Sequence, residues 1–165
     1  MKNKERKIHI IGLNSFIFDD LSIEAQELLQ KVRNIAVPNT YLHEIKDWVS
    51  MQLIDNKNFY KSKSNLDLIQ WLKFIDDDVI LISRGDPLWF GIGRILLKNF
   101  SKKELFFYPG KTSLQLASSR LKRAWQDIKT VSIHGRETNE LVKSLKSKES
   151  GIAILTDPKN NNLQL

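Results

Sequence analysis

The chain has 165 residues, of which 41% are hydrophobic and 27% charged, a composition typical of a globular protein with a sizeable core. It contains no cysteine and three scattered histidines, which excludes disulfides, thiolate metal sites and cysteine nucleophiles and leaves no metal-ligand spacing. The sequence shows neither a signal peptide nor an apolar run near the roughly 18 residues of a membrane helix, so we expect a cytoplasmic protein that does not contact membranes.

The charge gives the first indication of a partner. Lysine and arginine number 26 against 19 acidic residues, a net charge of +7 at pH 7, and so basic a chain tends to meet anionic partners. Nucleic acid, a polycarboxylate small molecule and a solvated surface without functional meaning all fit, because the basic residues are spread along the whole chain. The charge alone does not choose between them.

The first predicted elements are a strand, a helix and a second strand. The β-branched run KIHIIGL predicts a strand over 7–13. Apolar residues at helical spacing predict a helix over 21–34, with Asp19 and Asp20 as its cap. The short strand IAVP over 35–38 ends at its proline.

The segment 39–63 is the least regular part of the predicted fold, although LHEIKDWVSM is able to form a helical turn or two. An amphipathic helix follows over 65–75, with Ser64 or Asn65 as its cap. Its apolar face is predicted to consist of Leu66, Ile69, Leu72 and Ile75.

From residue 78 onward, strands and helices alternate with short connections. Strands are predicted over 78–83, 104–109, 129–135 and 151–158, and helices over 93–100, 113–121 and 137–147. Because parallel strands need crossover helices, this alternation predicts an α/β fold built on a mainly parallel sheet. In such sheets ligands bind beyond the carboxyl ends of the strands, where helix N-termini point their free N–H groups.

Five strand exits are therefore the candidate binding loops. Three combine glycine or proline with polar residues: SRGDPLWFG (83–91), YPGKTS (108–113) and IHGRE (133–137). LTDPKN (155–160) has Asp and Pro without Gly, and GLNSF (12–16) is the poorest of the set. We rank SRGDPLWFG highest, because it adds two aromatics to a Gly-Asp-Pro turn and leads through another glycine into the next helix.

Two nucleotide-binding motifs fail at these exits. PGKTS is similar to the end of a phosphate-binding P-loop, but the glycine required five residues before Gly110 is replaced by Leu105 within a strand. The dinucleotide motif G-x-G-x-x-G is half present, since Gly91 and Gly93 are followed by Leu96. Neither phosphate binding by a P-loop nor hydride transfer is indicated.

The sequence evidence for a hydrolytic Ser-His-Asp triad is equally weak. Ser113, His134 and Asp157 supply the three residue types, yet most chains offer such a combination. The nucleophile-elbow pattern G-x-S-x-G is missing from the sequence. The residues therefore give no firm catalytic group.

Four segments in order, SRGDPLWFGIGRILL, YPGKTSLQLASSRL, WQDIKTVSIHGRE and IAILTDP, closely resemble the tetrapyrrole (corrin/porphyrin) methylase family. Within it the chain is most similar to the cobalt-precorrin-7 C5-methyltransferase branch, equivalent to the N-terminal half of precorrin-6Y C5,15-methyltransferase. The resemblance implies a two-lobed α/β fold, with lobes at 1–109 and 110–165. The second lobe is expected to be incomplete, because the family continues for several elements beyond Asp157.

The resemblance also implies a reaction and its partners. S-adenosylmethionine would lie in the cleft between the lobes of a homodimer, and its methyl group would pass to ring carbon C5 of an anionic precorrin in cobalamin biosynthesis. Residues implied to bind the cofactor are Arg84, Gly85, Asp86, Trp89, Thr112, Ser113, His134, Gly135, Thr156 and Asp157. Those expected to bind substrate carboxylates are Arg94 and Arg136.

The residue chemistry of the highest-ranked exit fits this cofactor. A sulfonium needs an anion, backbone donors and apolar walls, which Asp86, Gly85 and the aromatic pair Trp89 and Phe90 offer. An electron-rich substrate carbon attacks the methyl group itself, so no protein nucleophile is required. Asp86 serving only as a turn cap, and the aromatics serving as core or interface residues, remain alternatives.

The chain departs from the family pattern at two kinds of position. Asn14 and Ser15 replace a glycine and a proline in the first loop, and Arg84 and Lys111 replace small or apolar residues. Added positive charge beside a cationic cofactor is unfavourable unless both side chains point toward the substrate. The alternatives are a methylase of the same fold acting on another macrocycle, RNA or protein, and a basic nucleic-acid-binding module. Nucleic acid is not expected, because the aromatics do not interleave with basic residues.

Overall fold

The computed structural model describes residues 6–133, 138–147 and 149–156. Contacts divide the chain into two compact units, Met1–Thr112 and Ser113–Leu165. The division falls close to the boundary at residue 109 that the sequence suggests, and the assignment of two lobes to the whole protein stays a prediction.

The first unit is built on a five-stranded sheet. Its strands are β1 (Ile8–Leu13), β2 (Asn34–Ala36), β3 (Asn58–Tyr60), β4 (Val79–Arg84) and β5 (Leu105–Tyr108). The strand order is β3-β2-β4-β1-β5, and every neighbouring pair is parallel. All six residues of β1 are buried, because the strand pairs with β4 and β5 and both faces of the sheet are covered by core side chains. This confirms the predicted α/β class with a parallel sheet.

Helices cover both faces of this sheet. They are α1 (Ile23–Lys31), α2 (Leu42–Ser50), α3 (Asn65–Phe74) and α4 (Gly93–Asn99), with short 3-10 turns at Phe18–Asp20 and Asn39–Tyr41. Side chains of α1 and α2 form one core with the alternate strand residues Ile11 and Ile82. Those of α3 and α4 form a second core with Ile10 and Leu81. The near-continuous apolar runs of β1 and β4 follow from burial on both faces.

The second unit contains a two-stranded sheet. Its elements are α5 (Ser113–Leu121), β6 (Lys129–Ser132), α6 (Asn139–Lys146) and β7 (Ile152–Leu155). The strands β6 and β7 are parallel, and a small core forms around Val131, Ile133 and Leu141. The predicted order of strand, helix and strand is therefore present in this unit.

Two local predictions were wrong. The cap of α1 is Ser22, whose hydroxyl accepts the N–H of Ala25, because it directly precedes the helix while Asp19 and Asp20 lie in the 3-10 turn before it. Leu66 is 69% exposed, since the buried side of α3 is centred on Leu68, Ile69 and Leu72. Within the irregular segment 39–63, the helical turns expected in LHEIKDWVSM are present as the nine-residue α2. The three-residue β3 was not predicted, because it is too short to show an alternating pattern.

Candidate functional site

The exits of β4, β1 and β5 meet at one edge of the sheet, because these parallel strands are neighbours. Three glycines pack there backbone to backbone. A Cβ on Gly12 would lie 1.8 Å from the carbonyl oxygen of Gly85 and 2.6 Å from the nitrogen of Gly110. The N–H of Gly110 donates to the carbonyl of Gly85 at 3.2 Å. The sequence did not single out Gly12, since its loop has few turn residues, although an isolated glycine in a strand is a signal of such close approach.

Gly85 adopts a left-handed backbone conformation with φ of +58°. This region favours glycine because it has no Cβ. Its N–H donates to the carbonyl of Leu13 at 2.8 Å, and its missing Cβ faces the carbonyl oxygen of Lys111 at 3.2 Å. The turn after β4 is thus held by contacts with the end of β1 and with the loop after β5.

Asp86 holds the Gly-Asp-Pro turn together. Its Oδ1 accepts the N–H of Leu88 at 2.8 Å, and its carbonyl accepts the N–H of Trp89 at 3.1 Å. The residue is partly exposed, so its carboxylate is also within reach of a ligand. Turn capping is therefore present, and a cofactor contact by Asp86 stays a prediction.

The glycines after this turn let α4 start close to it. A Cβ on Gly91 or Gly93 would lie 2.6 or 2.7 Å from the carbonyl oxygen of Pro87, to which Gly93 also donates its N–H at 2.8 Å. The two glycines therefore allow α4 to pack closely against the turn. Trp89 and Phe90 meet edge to face at 5.3 Å between ring centroids, with Phe90 41% exposed.

Arg84 reaches across the sheet edge to the exit of β2. Its Nε donates to the hydroxyl of Tyr41 at 2.6 Å, and its guanidinium carbon lies 5.7 Å from the centre of that ring. Tyr41 was missed by sequence reasoning, which ranked five exits and left out the sixth. The signal was available, because VPNTY after β2 also combines proline, polar residues and an aromatic.

Aromatic side chains also hold the loop after β1. The indole N–H of Trp48 donates to the carbonyl of Phe16 at 2.9 Å, and the Phe16 ring meets Tyr41 edge-on at 4.9 Å. Within the loop the hydroxyl of Ser15 donates to Asp20. Where the family pattern has glycine and proline, this loop is therefore positioned by side chains from α2 and the turn before it.

A cleft of about 500 Å³ lies beside this loop, between the exits of β1 and β5 and the start of α1. Asn14, Glu24, Tyr108 and Lys111 are among its lining residues. The Tyr108 hydroxyl lies 3.1 Å from Nδ1 of the buried His9. Burial raises the pKa of Tyr108, and the charge and hydrogen bond of Glu24 raise it further. The cleft thus contains a protonated phenol beside a carboxylate, a feature that spacing along the sequence does not reveal.

The structure brings Arg84, Gly85, Asp86 and Thr112 to the same edge of the first unit; Thr112 is buried and its Cα lies 3.8 Å from the Cβ position of Gly85. Arg94 is exposed at the start of α4. In the second unit Ser113 opens α5 and Thr156 is exposed after β7. The remaining predicted site residues, which lie outside the described residues, are His134, Gly135, Arg136 and Asp157.

Residues 6–133, 138–147 and 149–156 contain no group of three or more His, Asp or Glu able to hold a metal ion. None of the helices formed by these same residues combines the length and apolar character needed to cross a membrane.

Two curated relatives share parts of the sequence. A precorrin-6Y C(5,15)-methyltransferase (decarboxylating) of a Sinorhizobium species is 41% identical over 58 residues, which cover 35% of this chain and 14% of the relative. A probable cobalt-precorrin-7 C(5)-methyltransferase of Methanocaldococcus jannaschii is 34% identical over 79 residues, which cover 46% of this chain and 37% of the relative. The matched segments therefore span well under half the length of either relative.

Solved structures share the fold. A precorrin-6Y methylase of Archaeoglobus fulgidus superposes with a TM-score of 0.63 and 22% identity, over 93% of this chain and 73% of that one. A uroporphyrin-III C-methyl transferase of Thermus thermophilus, solved with S-adenyl homocysteine, superposes with a TM-score of 0.51 and 22% sequence identity. The superposition covers 76% of this chain and 58% of that one. The family model for tetrapyrrole (corrin/porphyrin) methylases matches residues 7–165. The chain belongs to the tetrapyrrole methylase family.

Proposed function

We propose that the protein is an S-adenosylmethionine-dependent methyltransferase that methylates ring carbon C5 of a precorrin in cobalamin biosynthesis. The observation that carries this proposal is the junction of the Gly-Asp-Pro and Pro-Gly-Lys-Thr exits, packed backbone to backbone through Gly12, Gly85 and Gly110. Family membership and the names of the two curated relatives support the same reaction.

The residues at this junction fit the cofactor. Its sulfonium and ammonium groups are cationic and its adenosyl group carries hydroxyls, so a site needs an anion, polar groups and little steric bulk. The partly exposed Asp86 provides the anion, and Gly85 leaves backbone groups accessible. Thr112, the last residue of the first unit, adds a hydroxyl, and Trp89 adds an aromatic face. Ser113 is proposed as a further contact from the sequence resemblance alone. When bound, the cofactor supplies an electrophilic methyl group.

The chain's own residues then act by binding and orienting. The substrate carbon is the nucleophile, so no serine, cysteine or metal of the protein enters the transfer. Holding two reactants in line can supply about 7 kcal/mol or more of the barrier. The rigid glycine junction serves this purpose, because loops fixed by backbone contacts hold their polar groups in constant positions. Arg94 and Arg136 are proposed to contact the carboxylates of the substrate.

The assembly and location are part of the same proposal. We infer a cytoplasmic homodimer that takes an anionic tetrapyrrole and no nucleic acid. The exposed apolar side chains of Leu88, Phe90 and Leu97, on the Gly-Asp-Pro loop and α4, support a contact with a second copy. The net charge of +7 suits a polycarboxylate substrate.

Calorimetric titration with S-adenosylhomocysteine tests the cofactor assignment. The informative variant is Asp86→Asn, since an amide oxygen can still accept the N–H of Leu88 while the charge is removed. We expect the dissociation constant to rise about tenfold, in line with the loss of one charge-assisted contact. The matched control is Asp76→Asn, an exposed residue before β4 at the opposite edge of the sheet.

The titration has two informative negative results. Wild-type protein that does not bind S-adenosylhomocysteine would contradict the methyltransferase proposal as a whole. If the Asp86→Asn and Asp76→Asn variants bound S-adenosylhomocysteine with equal affinity, Asp86 would cap the turn and make no contribution to cofactor binding. Methyl transfer to RNA or protein, with no transfer to a precorrin, would replace the proposed substrate by another class.

A further inference from the structure

Arg84 is the one positively charged side chain of the Gly-Asp-Pro exit, and the resemblance would place it beside a cationic cofactor. We propose instead that Arg84 is a receptor for a carboxylate of the anionic substrate, held ready by Tyr41. The inference rests on the proposed function for the identity of the substrate. It assigns a specificity-determining role to a pair of residues that the family pattern does not predict.

The position of Arg84 supports this role. It is the last residue of β4 and lies opposite Leu13 of β1 in the parallel register. By strand alternation its side chain lies on the same face as Ile80 and Ile82, the face covered by α1 and α2. The loops after β2 and β1 flank it there, since β4 lies between these strands. Asp86, two residues later, belongs to the turn beyond the strand.

Tyr41 fixes the orientation of the guanidinium group. The Tyr41 ring is 7% exposed and belongs to the core, so it gives a stable support. Its hydroxyl accepts from Nε, and the guanidinium carbon lies 5.7 Å from the ring centre. Phe16 meets the same ring edge to face at 4.9 Å between centroids, and the indole N–H of Trp48 donates to the Phe16 carbonyl. The arginine is therefore ordered before a ligand arrives, which lowers the entropy lost on binding.

The terminal nitrogens of Arg84 are the part available to a ligand. Neither of its two NH2 groups has a hydrogen-bond or ion-pair partner among residues 6–133, 138–147 and 149–156, and the residue is exposed. A guanidinium presents these two groups as a planar fork that matches the two oxygens of a carboxylate. A cationic sulfonium would be repelled by the same group. The chemistry therefore selects a carboxylate, and a polycarboxylate tetrapyrrole offers several.

Two titrations distinguish the substrate's carboxylate from that of the cofactor. The probes are uroporphyrin III, a porphyrin with eight carboxylates, followed by fluorescence, and S-adenosylhomocysteine, followed by calorimetry. For Arg84→Met we expect about tenfold weaker uroporphyrin binding, typical of a lost charge-assisted pair, and S-adenosylhomocysteine binding unchanged within about twofold. Arg84→Lys and Tyr41→Phe should each weaken uroporphyrin binding by about threefold, because the fork or its support is lost while the charge remains.

The matched control is Arg33→Met, an exposed arginine before β2 at the opposite edge of the same sheet. Similar losses for Arg33→Met and Arg84→Met would overturn the proposal in favour of general charge attraction. If Arg84→Met weakened only the binding of S-adenosylhomocysteine, Arg84 would belong to the cofactor site and the proposal would be wrong. Wild-type protein that does not bind uroporphyrin would also overturn the inference. Failure of S-adenosylhomocysteine to bind, with uroporphyrin binding still dependent on Arg84, would contradict the proposed methyltransferase function alone. Thermal melting of each variant checks that it folds.

Discussion

The exits of β1 and β4 lie side by side but are held in place by different means. The β4 exit carries its own turn chemistry, with a left-handed Gly85, the Asp86 cap and glycines packed on Pro87. The β1 exit has little of this and is held instead by Trp48 and, through the Phe16 ring, by Tyr41.

This difference explains why one exit could be ranked from sequence and the other could not. Gly, Asp and Pro act on the backbone within a few residues, so their spacing is visible in the chain. Trp48 lies 32 residues from Phe16, and its contact depends on how α2 packs on the sheet. The two loops nevertheless share the glycine junction, and the following predictions separate the local from the distant contributions.

The largest effect is expected for Gly12→Ala. The added methyl group would lie 1.8 Å from the carbonyl oxygen of Gly85 and 2.6 Å from the nitrogen of Gly110, so it would clash with two backbone segments at once. We expect the free energy of unfolding to fall by about 3 kcal/mol, the upper end of overpacking effects, or folding to fail. Urea denaturation followed by circular dichroism measures this change.

Gly151→Ala is the control for this substitution. Its new Cβ would lie 3.0 Å from the end of the Arg123 side chain, which is able to move aside. We expect a change within about 0.5 kcal/mol there, as for ordinary surface substitutions. Equal stability of the two variants would mean that the three exits are not rigidly packed, and the argument for constant loop positions would be wrong.

The fold was largely predictable because its signals are local. Buried parallel strands such as β1 and β4 give continuous apolar runs, and the alternation with helices gives the α/β class. The edge strand β3 was missed because three residues are too few to show the alternation of apolar and polar residues that marks a strand.

The site was predictable only in part. The turn at Gly85 and Asp86 was predicted from its motif, and the binding role of both residues stays a prediction. Tyr41, Trp48 and Tyr108 were not singled out. These aromatics belong to other elements, and their partners lie far away along the chain, as the Arg84 and Tyr41 pair with a separation of 43 shows. Motif spacing describes one loop, whereas such pairs depend on strand order, which the sequence alone did not supply.

A smaller effect is expected for Trp48→Phe, which tests the distant support of the β1 exit. The substitution removes the N–H that binds the Phe16 carbonyl and keeps an aromatic ring beside Phe18. Loss of one hydrogen bond should lower the free energy of unfolding by about 1 kcal/mol. Hydrogen exchange followed by mass spectrometry should show faster exchange over 14–20.

Trp71→Phe provides the comparison, because Trp71 stacks on Tyr60 on the other side of the sheet. Exchange over 14–20 should stay at the wild-type rate in that variant. Unchanged exchange in Trp48→Phe as well would show that the loop after β1 does not depend on this indole, and the contrast between the two exits would no longer hold.

The smallest effect concerns the cleft beside the β1 exit and appears only at high pH. The pKa of Tyr108 is raised in the folded protein, mainly by burial and then by Glu24, so folding favours the protonated phenol. At a pH above the pKa of an unfolded tyrosine, the folded state therefore binds more protons than the unfolded state. The free energy of unfolding falls as the pH rises through the pKa of Tyr108 in the folded protein. Tyr108→Phe cannot ionise, so its stability should decline less steeply than that of wild type above about pH 10. Urea denaturation at pH 8 to 11 measures both slopes, and parallel slopes would show that the cleft does not hold the phenol in its protonated form.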